Sequence, residues 1–287
     1  VGIIGPWNCD PIFSKAFPEL ASRLAISRLN RDSKLNQGFW WDSILLPEAC
    51  QTPQALTGLL HSERYASGLV GIFNPAVCGA AGLLANAWNK PLVSWSCLGE
   101  VESLETLLIP MTDPVGILHA VLRSFRWAHV AVVAADEDLW REVAHGLIQE
   151  LRGRGLPVTV LRSMGRNQEE AREVLQRVKR ADGVRVVLMC MHSVLLGGEE
   201  QRVLLEEAED LGMTDGTYVF IPYDALTFPL PYHRVPYSIL TTNTKLRLAY
   251  DAVLTITMDS PEINFREALE EAKEAYELPA HIEPSQV

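Results

Sequence analysis

The stretch Val184–Asp224 places a β-branched apolar run, a glycine-opened amphipathic segment and a second apolar run in immediate succession. That order fits a strand–helix–strand unit of a parallel sheet. Val184–Met191 is too short for an ordinary helix and reads as a strand buried on both faces. Gly197 and Gly198 open a helix whose first turn carries Glu199 and Glu200, matched to the positive end of the helix dipole. Leu204, Ala208 and Leu211 form one core-facing stripe, and Gly212 is placed to cap the C-terminus. Met213–Gly216 then turns the chain into a second buried strand, Thr217–Ile221, ended by Pro222. Ligands of open α/β sheets lie beyond the carboxyl ends of the strands. Met191, His192 and Ser193 occupy one such end, Tyr223 and Asp224 the next.

The same alternation runs through the rest of the chain. Strands are expected at Val1–Pro6, Phe39–Leu46, Gly68–Ile72 and Pro91–Trp95. Between them lie a helix from about Pro18, with Leu20, Ala21, Leu24, Ala25 and Leu29 on one face, a helix from Pro53 to about Tyr65, and Ala76–Trp88. Residues from Ser96 to about Asp113 break the rhythm as an irregular crossing. A helix opening at Pro114 precedes a second series: strand His129–Ala135, helix Leu139–Leu151, strand Leu156–Leu161 and helix Gln168–Lys179. The fold class is therefore α/β, with a doubly wound parallel sheet in each of two lobes. Residues 1–112 are assigned to the N-terminal lobe and 113–245 to the second. Residues 246–287 are read as a hinge return toward the first lobe, with strand Val253–Thr257 and a peripheral acidic helix, Phe265–Glu277. The chain lacks an initial Met and ends without closing the first lobe, so a processed or truncated piece is expected.

Composition narrows the partners. A formal net charge of −11 disfavours nucleic acid and anionic lipid, both of which require clustered Lys and Arg. No apolar run approaches the ~20 residues that span a bilayer. The five cysteines form no CxxC pair, which speaks against zinc ribbons and thioredoxin-type chemistry, and their spacing leaves free thiols and disulfides both open.

Catalytic motifs are weak. None of the glycine-rich spots is a phosphate-binding loop, and no GxSxG elbow occurs. Met189, Cys190, Met191 and His192 resemble soft-metal ligands, but adjacent strand residues point to opposite faces and cannot converge. Cys190 sits in an apolar run where burial makes a thiol inert. The acidic runs around Glu199 and Glu267 read as solvated helix faces. The candidate ligand cleft is built instead from polar and aromatic residues at strand ends: Trp7, Asn8, Asn74, Ser94, Ser96, Asp136, His192, Tyr223 and Asp224. No catalytic and no metal-ligating residue is assigned.

Several segments carry a more specific likeness. GPWNCDPIF (Gly5–Phe13), SGLVGIFNP (Ser67–Pro75) with the Cys50 to Cys78 segment, MHSVLLGGEEQ (Met191–Gln201), TDGTYVFIPYD (Thr214–Asp224) and AYDAVLTIT (Ala249–Thr257) resemble the extracellular domain of membrane guanylate cyclases. The likeness is to the sensory branch, retinal and olfactory, more than to the natriuretic-peptide or enterotoxin receptors. It implies a two-lobed, type I periplasmic-binding-protein-like ectodomain of a single-pass receptor, working as a homodimer. A cyclase domain converting GTP to cyclic GMP would lie elsewhere in the parent protein, so no catalytic residue and no cofactor come to this chain. The resemblance also implies a disulfide between Cys50 and Cys78, leaving Cys9, Cys97 and Cys190 unassigned. It implies an extracellular peptide or small-molecule ligand, calcium-sensing activator proteins on the intracellular side, and an extracellular or lumenal position on a photoreceptor or sensory-neuron membrane. Ligand sensing and dimer scaffolding both fit. A soluble periplasmic-type solute-binding protein is the competing reading.

Overall fold

The computed structural model describes residues 1–15, 18–94, 97, 106–108, 113–227, 237–257, 270 and 273. The chain divides into two compact units, one holding Val1–Pro110 and Pro261–Val287 and the other Met111–Ser260.

The first unit has a parallel sheet of five strands: β1 (Gly2–Gly5), β2 (Ile44–Pro47), β3 (Leu69–Gly71), β4 (Leu92–Ser94) and β5 (Leu107–Leu108), in the order β2-β1-β3-β4-β5. Its core gathers Ile4, Leu59, Leu69, Ile72, Ala81, Ala85 and Leu92. Small residues on the helix Cys78–Ala87 let it lie close on the sheet. The helix Pro18–Arg31 forms where its periodicity predicts, yet Ser22 is its buried residue, while Leu20 and Leu24 are half-buried and Ala21 and Ala25 exposed. The second strand is shorter than expected. Phe39 and Trp40, read as its start, are 69% and 84% exposed, and pairing with β1 begins at Ile44. Bulky residues there gave a strand-like composition without a partner to bury them.

The second unit has four parallel strands: β6 (Val130–Ala135), β7 (Val158–Met164), β8 (Val186–Cys190) and β9 (Val219–Pro222), ordered β7-β6-β8-β9. Every residue of β6 and β8 is buried, as central parallel strands covered on both faces require. Asp113 caps the helix Pro114–Ser124 by accepting from the Gly116 amide, with Pro114 at the first helical position. Further helices follow at Asp138–Gly153, Gln168–Arg180 and Glu199–Asp210.

The Glu199–Asp210 helix is not the solvated face its acids suggested. It packs between the helices Gln168–Arg180 and Thr244–Tyr250. Glu200, Glu206 and Glu207 are only 7%, 8% and 3% exposed. Arg166 reaches Glu200 at 2.6 Å, Arg172 reaches Glu207 at 3.0 Å, Arg202 pairs with Glu206 at 3.0 Å, and the Asn243 amide donates to Glu206 at 2.7 Å. Such carboxylates enter a core when cations from neighbouring elements meet them.

Two connections remain. Ala252 and Leu254 bond to Phe220 of β9, so the expected strand Val253–Thr257 meets the second unit's sheet through an isolated bridge at Val253. The Phe265–Glu277 helix lies outside the described residues apart from Glu270 and Lys273. The disulfides are Cys9–Cys50 and Cys78–Cys97, not Cys50–Cys78. Strand order explains the correction. β1 and β2 are register partners through Gly5 and Pro47, so the loops carrying Cys9 and Cys50 leave side by side. β3 and β4 pair through Gly71 and Ser94, which brings Cys78 beside Cys97. Cys50 and Cys78 follow strands that β1 separates. Cys190 is the one free cysteine, and it is buried.

Candidate functional site

At the carboxyl ends of the first sheet, the polar residues are spent on the backbone. Asn74 accepts from the Ala76 amide at 3.0 Å, capping the turn Pro75–Val77, and donates to the Thr52 hydroxyl at 2.9 Å. Ser94 donates to the Ile72 carbonyl and accepts from the Cys97 amide, both at 3.3 Å. Glu48, which the sequence did not single out, is the centre of this end. Its carboxylate accepts from the amides of Phe73 at 2.8 Å and Asn74 at 2.9 Å, tying the exit of β2 to that of β3. Burial raises its pKa, and the two amides pull it back. Its position one residue past a Pro-ended strand was the only sequence hint. Trp7 is half-buried and packs edge-on to Phe73, while Asn8 is exposed. Ser96 lies outside the described residues.

In the second unit, His192, Tyr223 and Asp224 do converge. Asp224 is buried and accepts from the amides of Ser193 at 2.5 Å and Ala225 at 2.9 Å. Burial pushes its pKa up to about 6, against the opposing pull of those amides and of the His192 charge. His192 is buried and meets Trp140 edge-to-face at 4.9 Å. The Tyr223 hydroxyl is buried without a hydrogen-bond partner among the described residues, and burial raises its pKa. Cys190 is fully enclosed, and burial, then the Asp224 charge, raises its pKa well above the ordinary thiol range. It stays protonated at neutral pH and serves neither as nucleophile nor as soft-metal ligand. Gln201, unremarked in the sequence, accepts from the Val194 amide at 2.9 Å and fixes the loop after β8.

Asp136 stands apart from this group. It is largely exposed and pairs with Arg141 at 3.0 Å. Arg141, His145, Arg162 and Ser163 line a shallow recess of about 200 Å³ at the outer edge of this sheet. Arg141 is already balanced there by Asp136 and Asp138. Among the described residues no group of three or more His, Cys, Asp or Glu side chains is placed to hold a metal ion. No described helix is long and apolar enough to cross a membrane. The strand-end groups thus act chiefly on the chain's own loops.

Comparison with known proteins gives findings of three kinds. A family model described as the receptor family ligand binding region matches residues 17–287. The chain is 46% identical over 291 residues to retinal guanylyl cyclase 2 of Homo sapiens, covering 100% of the chain and 26% of that protein. It is 47% identical over 289 residues to retinal guanylyl cyclase 1 of Bos taurus, with the same shares of 100% and 26%. The chain therefore spans about a quarter of the length of the curated relatives it matches. Among solved structures, an ABC-transporter solute-binding protein from R. palustris in complex with 4-hydroxybenzoate aligns with a TM-score of 0.54 at 13% identity, over 77% of this chain and 60% of that one. At that identity the likeness concerns the fold alone.

Proposed function

The chain belongs to the family of receptor ligand-binding regions, and from that premise we propose that it is the extracellular, signal-receiving or dimer-scaffolding part of a single-pass sensory guanylate cyclase. The observation that carries the reading is identity of nearly one half, sustained over the whole chain, to retinal guanylyl cyclases 1 and 2. The parent protein would convert GTP to cyclic GMP through a domain on the other side of the membrane. Calcium-sensing activator proteins would act there, and this region would pair with a second copy of itself on the lumenal or extracellular face. Residues 1–112 and 113–245 are proposed as its two lobes, supported by the division of the chain near Pro110. Within the proposal, scaffolding is favoured over small-molecule sensing, because Asn74, Ser94 and Asp224 are bound to the chain's own backbone.

The transcript downstream of Val287 provides the test. A membrane segment followed by a cyclase domain is expected, and a reading frame without a cyclase domain would overturn the proposal. Sedimentation equilibrium then separates the two roles. A dimer that persists while candidate peptides and small acids leave its melting temperature unmoved fits a scaffold.

A further inference from the structure

Each sheet reverses its winding once, between β1 and β3 in the first unit and between β6 and β8 in the second. At such a point the loops leaving two neighbouring strands run to opposite faces and open a crevice, the usual small-molecule site of an open α/β sheet. In both units a tryptophan of the chain itself stands there. Trp7 follows β1, and its ring lies so close over Gly5 that a Cβ added to that glycine would sit 2.3 Å from it. Phe73, just past β3, meets Trp7 at 5.8 Å and 74°, and Phe13 backs Phe73 at 4.8 Å. In the second unit Trp140, in the first turn after β6, meets His192, just past β8, at 4.9 Å and 84°.

Both indole Nε1 atoms are buried with no hydrogen-bond partner among the described residues. A buried tryptophan ordinarily finds one, and an unmade bond carries a desolvation cost. At these corresponding strand exits both rings are held by aromatic neighbours, Phe73 and His192, and what they contribute there is volume. We infer that Trp7 and Trp140 are built-in occupants of the two strand-end crevices, each closing a latent site for a planar aromatic molecule of about the size of indole. The inference rests on the geometry of each unit by itself and stands apart from the receptor reading. It accounts for how this fold can be kept while the crevices are withdrawn from ligand binding.

Thermal unfolding of the chain and its Trp7→Ala and Trp140→Ala variants, with and without indole, tests it. Each substitution is expected to lower the melting temperature by about 10 °C. Indole at a hundredfold excess over its Kd is expected to restore roughly half of that loss, while leaving the wild-type chain unmoved. Equal stabilisation of the wild type, or folded variants that gain nothing from indole, would overturn the inference. Should either alanine variant fail to fold, the Trp7→Leu or Trp140→Leu form carries the same comparison with benzene. Hydrogen exchange of the wild-type Trp140 indole N–H supplies a reading without mutation. Slow exchange is expected, and complete exchange on mixing would show the second crevice open.

Discussion

Gly198 has no room for a side chain: a Cβ would sit 2.0 Å from the His192 carbonyl oxygen and 2.9 Å from that of Ser193. Backbone cannot yield as a flexible side chain does, so Gly198→Ala is expected to lower the stability of the second unit by about 3 kcal/mol or more, read by urea unfolding. Asp224, on the far side of the same loop, makes a prediction in pH. Its folded pKa of about 6 lies above the ordinary value of 3.8, so between those limits the folded chain binds more protons than the unfolded one. Stability from this group is therefore greatest at the acid end and falls as pH rises from about 4 to about 6, by at most about 3 kcal/mol. Asp224→Asn removes the titration. The gap between wild-type and variant unfolding energies should change across that window and level off above it, and parallel curves would refute the assignment. His192, Tyr223 and Asp224 could be picked from the sequence because each follows an apolar strand run. Glu48 could not, because its significance depends on the amides of Phe73 and Asn74 brought in from another strand exit.

Among elements, the legible ones were those whose surroundings are uniform. β6 and β8 are apolar throughout because both their faces are buried, and a short unbroken apolar run has few other uses. The Glu199–Asp210 helix differs from its sequence expectation for the opposite reason. Its glutamates are matched by Arg166 and Arg172, which lie 34 and 35 residues earlier, so nothing in its own sequence distinguishes buried acids from solvated ones. That arrangement makes its cations unequal in importance to its acids. Arg172 is half-exposed while Glu207 is buried, so Arg172→Ala strands a carboxylate in the core and should cost about 1–2 kcal/mol. Adding Glu207→Gln should return part of the loss in chemical denaturation. A double variant no more stable than Arg172→Ala would mean the pair contributes only through packing.

For the whole molecule, the two units differ in how they are held. Both disulfides lie in the first, where they close segments of 41 and 19 residues and stabilise by roughly 4 and 3 kcal/mol in the chain-entropy account. The second unit relies on the apolar central strands β6 and β8 and on ion pairs that reach the Glu199–Asp210 helix from Arg166 and Arg172. Reduction is therefore expected to lower one calorimetric transition and leave another in place, and a single transition that shifts as a whole would contradict independent cores. Non-reducing peptide mass mapping should recover Cys9 joined to Cys50 and Cys78 joined to Cys97. The two-unit α/β plan could be read from the alternation of runs, but cysteine pairing could not, since it follows strand order in space.

That pairing joins each cysteine to the next one along the chain, first to second and third to fourth. During synthesis the N-terminal part emerges first, so in an oxidising compartment Cys9 can pair with Cys50 before Cys78 has appeared, and Cys78 with Cys97 before Cys190 has. Cys190 follows, within a strand that buries it. Among the cysteines of this region, order of emergence and native pairing coincide, which lowers the demand on an isomerase to correct them.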